Sequence, residues 1–315
     1  FAGGYLAEEL AKDPALSLYG VTRRAQPLRP PLHERVTCLH GDLRSAAFVR
    51  EVLAQVRPDV IYHLAGQAFV PEAWSKPWET VEANVRPQLN LFQAMIDLGL
   101  AARFLSVTSS KVYGHAPAER MPLREDAPFS PDNPYGVSKA TQDLLARQYY
   151  LSHRLPVIVA RPFNHIGPRQ KETFVTASFA RQIALAEAGV RSPVVRVGNL
   201  SAARDFTDVR DVVRAYILLV EKGRPGEAYN VGSGRAVVVQ AILEQLVSMS
   251  RVPIRVEQDP ARMRPIDQPL SYGDTTKIRA ETGWQPAIPL EVSLRDILDY
   301  WRAEVKKENK EPSNL

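Results

Sequence analysis

Residues 1–24 read FAGGYLAEELAKDPALSLYGVTRR. A glycine pair, Gly3–Gly4, stands directly before an apolar-spaced helical stretch, YLAEEL. A β-branched strand follows, SLYGVT, and it ends on Thr22-Arg23-Arg24. Glycines ahead of a helix let backbone amides and the positive helix end approach a pyrophosphate. The order of glycine turn, helix, strand and charged strand tip is that of a dinucleotide-binding unit. No strand stands before the glycines, so one is expected to precede Phe1 in a longer chain. The strand tip carries a second expectation. An acidic residue there would accept from a ribose 2′-OH, whereas arginines pair with a 2′-phosphate or simply face solvent.

The alternation continues outward from that unit. Further strands are expected at 35–42, 59–66, 103–110 and 156–163, with helices at 45–56, 81–99 and 135–153. These strands are apolar throughout, as a parallel sheet buried between two helix layers requires. The pattern predicts an α/β fold, a Rossmann-type doubly wound parallel sheet. Beyond Phe163 it loosens into a helix at 173–189, a strand at 194–199, a helix at 208–223 and a late strand of the main sheet at 227–234. Short helices and Pro-rich links run on to about 304. The expected division is a dinucleotide-binding domain over 1–163 completed by parts of 205–234. A smaller C-terminal α/β substrate-binding lobe takes 164–204 and 235–304, and a polar, disordered tail takes 305–315.

Bulk properties narrow the function classes. No apolar run in the 315 residues approaches the roughly 20 needed to span a bilayer, so no membrane partner is expected. The net charge of +5 is scattered rather than gathered on one face, which argues against a nucleic-acid partner. Cys38 is the single cysteine, which excludes an internal disulfide and suits a reducing, cytoplasmic setting. The six histidines show no ligand spacing of the HExxH kind, so no metal is expected. There is no G-x-S-x-G elbow, which speaks against a serine hydrolase.

Two later strand ends also suit a nucleotide. His40-Gly41-Asp42-Leu43 offers a carboxylate to an adenine amino group, and Leu64-Ala65-Gly66-Gln67 offers small residues to a ribose. The chemistry itself is expected at Asn133-Pro134-Tyr135-Gly136-Val137-Ser138-Lys139. Asn133 is a natural N-cap and Pro134 a natural first helical residue. Tyr135 and Lys139 then share a helix face at i, i+4. An ammonium beside a phenol is expected to lower the phenol's pKa, which would make Tyr135 a usable proton donor and acceptor. Ser109, in TSSKVYG, closes the strand at 103–110. Its hydroxyl would emerge at the C-terminal sheet edge, placed to hydrogen-bond an oxygen that gains charge.

With these motifs, and with RPFNHIGPRQ, RDFTDVRD, YNVGSG and TGWQPAIPLE, the chain resembles the extended short-chain dehydrogenases/reductases of the nucleotide-sugar branch over nearly all its length. The resemblance implies a catalytic triad of Ser109, Tyr135 and Lys139. It implies cofactor contacts from Gly3, Arg23, Arg24, Asp42, Leu43, Leu64, Ala65, Tyr135, Lys139 and His165. It assigns sugar, base or diphosphate contacts to Ser109, Asn164, Val175, Arg181, Arg204 and Arg264. Diphosphates favour fork-shaped cationic donors, which supports the arginines independently. Dehydratases of this branch carry a carboxylate two residues before the VYG tyrosine, where this chain has Lys111.

The implied reaction is therefore reduction of the C4 ketone of a nucleoside-diphosphate 4-keto-6-deoxy sugar, GDP-4-keto-6-deoxy-D-mannose to GDP-D-rhamnose. The implied cofactor is NADP(H), favoured by the arginine pair, with NAD(H) the other option. A 4,6-dehydratase, a 4-epimerase and a non-catalytic dinucleotide sensor are the alternatives. The resemblance also implies a homodimer or homotetramer packed through the helices at 81–99 and 135–153.

Overall fold

The computed structural model describes residues 1–23, 32–263 and 268–309. Arg24, Arg264 and 310–315 lie outside them. The first half alternates as expected: α1 (Ala2–Leu10), β1 (Leu18–Thr22), α2 (Leu32–Arg35), β2 (Val36–His40), α3 (Ala46–Val56), β3 (Val60–His63), α4 (Val70–Ser75), α5 (Pro77–Asp97), β4 (Arg103–Val107), α6 (Pro134–His153) and β5 (Val157–Pro162). The second half contains β6 (Asn164–Ile166), α7 (Val175–Glu187), β7 (Val194–Val197), β8 (Ala203–Asp208), α8 (Val209–Lys222), β9 (Ala228–Val231), β10 (Ala236–Val238), α9 (Val239–Ser248), β11 (Arg255–Gln258), β12 (Leu270–Ser271), α10 (Thr276–Thr282) and α11 (Leu290–Glu308).

Strands β3-β4-β5-β9 form a parallel sheet in that order, and β1 pairs in parallel with β2. Among the described residues β1 pairs only with β2, and β3 only with β4. Side chains alternate across the main sheet, as period-2 geometry demands. Phe104, Val157 and Val159 face Leu91, Phe92 and Met95 of α5. Leu105, Ile158 and Ala160 face Val212, Tyr216 and Leu219 of α8. Both faces are buried, which is why the strands are apolar throughout.

The second sheet is centred on β8, paired in parallel with β6 and β12 and antiparallel with β10. Residues 205–208 of β8 therefore pair in this smaller sheet, whereas α8 and β9 return to the main one. A separate parallel pair, β7–β11, packs beside α7, α9 and α11 around Phe179, Ile183, Val195, Leu246, Leu298 and Trp301.

Three expectations are corrected. Gly3 and Gly4 lie inside the first turn of α1 instead of preceding it, because the helix already starts at Ala2. The helix expected from residue 81 starts at Pro77, since proline at the first position has no intrahelical N–H to lose. It then runs through Pro87, which forfeits one backbone bond that the buried Leu91, Phe92 and Met95 offset. The polar tail begins later than 305: α11 continues to Glu308, and Val305 is buried in the lobe core.

Candidate active site

Strand β4 ends at Val107, and Ser109 caps a short 3-10 turn over Ser110–Val112, its Oγ accepting from the Lys111 N–H at 3.2 Å. That turn packs against the start of α6, where Asn133 Oδ1 accepts from the Gly136 N–H at 2.9 Å and Pro134 occupies the first helical turn. A Cβ on Gly136 would sit 2.8 Å from the Lys111 carbonyl oxygen, so glycine permits this approach. The result brings the Ser109 hydroxyl close enough to the Tyr135 phenol to act on its ionisation, both nearly enclosed.

The electrostatics differ from the expectation for an ammonium beside a phenol. Burial pushes the Tyr135 phenol up to about 12, opposed only by the Ser109 hydrogen bond. Lys139 Nζ stands 5.9 Å from the Tyr135 ring centroid and donates to the Val107 carbonyl at 3.0 Å and to Gln142 Oε1 at 2.8 Å. Burial lowers the Lys139 ammonium to about 7. Desolvation thus sets the balance, and it favours Tyr135 as the neutral phenol able to donate a proton.

A second buried group sets the entrance of α6. Asn84 on α5 accepts from the Gln67 N–H at 2.7 Å and donates to the Gln67 carbonyl at 3.1 Å and to Ser138 Oγ at 2.8 Å. Ser138 donates in turn to the Tyr135 carbonyl at 2.7 Å. This clamp ties the loop after β3 to the helix that carries Tyr135. A Cβ on Gly66 would lie 2.6 Å from Asn84 Oδ1 and 3.8 Å from Lys139 Nζ, so the backbone runs close over the lysine. Sequence reasoning passed over Asn84, Gln88 and Gln142. Their signal was available: polar residues on faces of α5 and α6 that bury Leu91, Phe92 and Ala146.

The other cofactor candidates gather around the strand ends. Thr22 and His40 are in register, so Arg23 and Asp42 are neighbours, and Arg23 acts electrostatically on the Asp42 carboxylate. Asp42 is engaged by Arg44 at 2.6–3.1 Å, which holds its pKa below the usual carboxylate range. Leu43 packs at the edge of the α3–α5 core and Leu64 under α1, while Ala65 is exposed. The start of α1 docks on the β6 side: Phe1 stacks on His165 at 5.9 Å, and Tyr5 Oη donates to the Pro168 carbonyl at 3.0 Å. Gly3 and His165 thereby come to one place. A Cβ on Gly3 would meet nothing within 4 Å, so the first turn of α1 is open on that side, although the Gly4 N–H donates to the Phe1 carbonyl at 3.1 Å. These features fit a dinucleotide lying over β1–β3 and the start of α1: an open first helical turn, an arginine at the strand tip, and a backbone run pressed close to Lys139.

The substrate candidates lie on the second sheet and α7. Asn164 pairs with Phe206 in the register of β6 and β8, and Val175 opens α7. Phe174 meets Phe69 edge-on at 6.0 Å, which brings that helix start to the loop after β3. Arg204 is buried and donates to the Ala203 carbonyl at 2.9 Å. Arg181 is instead committed to Glu172 at 2.9 Å and Glu308 at 3.2 Å, over the Trp301 ring.

A cavity of about 610 Å³ lies elsewhere, among α6, β5, β9 and α10. It is lined by charges of both signs, including the Arg161–Asp143 pair at 2.7 Å, and by none of the Ser109, Tyr135 and Lys139 set. Glu125 belongs to that cavity, its Oε1 accepting from the Asn230 N–H at 2.8 Å, and Glu119 is exposed. Among the described residues, no carboxylate is among the groups acting on Tyr135.

The fold and the Ser–Tyr–Lys geometry define an extended short-chain dehydrogenase/reductase. The chain belongs to the GDP-mannose 4,6 dehydratase family, whose sequence model matches residues 1–297. It is 41% identical to GDP-6-deoxy-D-mannose reductase of Pseudomonas aeruginosa over 251 residues, covering 80% of this chain and 83% of that one. It is 27% identical to GDP-mannose 4,6-dehydratase of Vibrio cholerae, covering 94% and 89%. Among solved structures, RMD from Pseudomonas aeruginosa complexed with NADPH superposes with a TM-score of 0.84 at 35% identity over 96% of each chain. UDP-glucose 4-epimerase of Thermus thermophilus complexed with NAD gives 0.84 at 25% identity, again over 96% of each.

Proposed function

We propose that this protein reduces the C4 ketone of GDP-4-keto-6-deoxy-D-mannose to give GDP-D-rhamnose, with NADPH as the reductant. One arrangement carries the reading: the Tyr135 phenol, whose pKa burial raises, stands beside the Ser109 hydroxyl, with a lysine where dehydratases of this branch carry a carboxylate. NADPH supplies the hydride when bound. Ser109 Oγ orients the ketone oxygen, and the Tyr135 hydroxyl passes its proton to that oxygen. The remaining phenolate is stabilised by Lys139 until water reprotonates it.

Gly3, Arg23, Arg24, Asp42, Leu43, Leu64, Ala65 and His165 hold the dinucleotide, the arginines at its 2′-phosphate. Asn164, Val175, Arg204 and Arg264 hold the nucleotide sugar, and Arg181 would join them only by giving up Glu172 and Glu308. Residues 1–163 with α8 and β9 serve the cofactor, and the second sheet with α7, α9 and α11 serves the substrate. The reading includes a cytoplasmic setting, supported by a lone Cys38 that remains a free thiol. It also includes a homodimer, or a tetramer built from it, through α5 and α6.

The test is incubation with GDP-4-keto-6-deoxymannose and NADPH, with absorbance and product followed together. Loss of NADPH with appearance of GDP-D-rhamnose is expected. No oxidation there, combined with formation of the 4-keto sugar from GDP-mannose, would move the assignment to dehydration, the reaction that names the family.

A further inference from the structure

Behind Lys139 lies a chain of polar side chains with no access to solvent. Ser106, Gln88 and Gln142 are each fully buried, on β4, α5 and α6 respectively. Burying two carboxamides and a hydroxyl is costly unless every donor and acceptor is used. Their arrangement permits one solution.

Gln88 Nε2 lies 2.7 Å from the backbone carbonyl of Gln142, an atom that can only accept. The nitrogen end of Gln88 is therefore fixed, and its Oε1 must point the other way. There it accepts from Ser106 Oγ at 2.7 Å and from Gln142 Nε2 at 3.1 Å. With its nitrogen so committed, Gln142 has to present Oε1 to Lys139 Nζ, at 2.8 Å. An oxygen acceptor is thus aimed at the ammonium by two side chains, Gln88 and Ser106, that never touch it.

We propose that Gln142 is a positioning residue whose carboxamide, locked by Gln88 and Ser106, holds Lys139 in its charged form at the floor of the site. The inference rests on the reductase reading above and adds to it the group that sets the pH range over which the lysine serves. An apolar pair could fill positions 88 and 142 with less desolvation, but it would leave the ammonium with the Val107 carbonyl as its one acceptor among the described residues. The titratable groups facing Lys139 are few. His63 on β3 feels its charge and is buried as the neutral imidazole, and Tyr135 lies on the same helix. Among the described residues, α5 contributes the neutral Asn84 and Gln88. Asp143, the next carboxylate along α6, is taken by Arg161 at 2.7 and 2.9 Å.

The experiment compares the full-length protein with Gln142→Met and Gln142→Glu, measuring kcat/KM and NADPH affinity across pH, with thermal melts at each pH. Removing the acceptor should move the alkaline limb down by about one pH unit, and a carboxylate at the same place should move it up by about one. A merely structural role would lower stability in both variants and leave the limb in place. An unmoved limb, or shifts in the same direction in both, overturns the proposal. Should Gln142→Met fail to fold, Gln142→Glu decides alone, because no upward shift would then be decisive. Should the parent reduce no 4-keto sugar, the reductase reading fails separately, and the pH dependence of NADPH affinity still reports on the lysine.

Discussion

At the scale of single residues, burial outweighs pairwise attraction at the centre of the site. Leaving water raises the Tyr135 phenol to about 12 and lowers the Lys139 ammonium to about 7, although their helical spacing predicts the opposite for the tyrosine. The proton role of Tyr135 is separable from binding: Tyr135→Phe is expected to lower turnover by about 10²- to 10⁴-fold with NADPH affinity nearly unchanged, as read by steady-state kinetics and cofactor fluorescence. His63 gives a second, independent outcome. Desolvation, with the Lys139 charge adding to it, lowers its pKa from 6.5 to about 3. The unfolded chain therefore takes up a proton near 6.5 that the folded protein refuses until near 3. Between those limits stability must fall as pH falls. Urea melts should show a steeper acid loss for the parent than for His63→Asn, and parallel curves would show that this imidazole is not the group responsible.

At the scale of elements, the catalytic geometry depends on two short segments touching: the 3-10 turn after β4 and the first turn of α6. Gly136 lets them meet, since a side chain there would press on the Lys111 carbonyl and on Pro131 at 3.1 Å. Gly136→Ala should shift the start of α6 by a few tenths of an ångström and lower kcat about 10- to 100-fold. NADPH affinity should change little, and unchanged kcat would show that the contact does not set the Ser109–Tyr135 distance. These segments were legible in the sequence because each is a linear motif with local capping, TSSKVYG and NPYGVSK. The supporting layer was not, because Asn84–Ser138 and Gln88–Gln142 join residues 54 apart. Arg181 looked like a free cation for the same reason: Glu308, one of its partners, lies 127 residues away. Strands of two or three residues, such as β10 and β12, are too short to show a period, so the stretch beyond 234 reads as short helices and Pro-rich links.

At the scale of the whole molecule, the main sheet is covered on both faces, yet one helix layer is not itself fully covered. Val137, Leu144 and Leu151 of α6 are exposed, and they recur every seven residues, which puts them in one stripe along the helix. Trp78, at the start of α5, is 69% exposed. Scattered apolar side chains on a surface need no explanation, but an aligned stripe on adjacent helices suits another apolar surface of the same periodicity. A second copy of this chain presents that surface by symmetry, and a two-fold contact between α5–α6 pairs would bury all four side chains. Leu144, at the centre of the stripe, is where a charge should do most harm, because burying an unpaired carboxylate is costly. Leu144→Glu is therefore expected to convert a dimer into a monomer in sedimentation, with the melting temperature becoming independent of protein concentration. The Ser109–Tyr135 contact lies within one chain, so the monomer should keep NADPH binding. A parent already monomeric at micromolar concentration, or a Leu144→Glu variant that sediments with it, would remove the role assigned to this face.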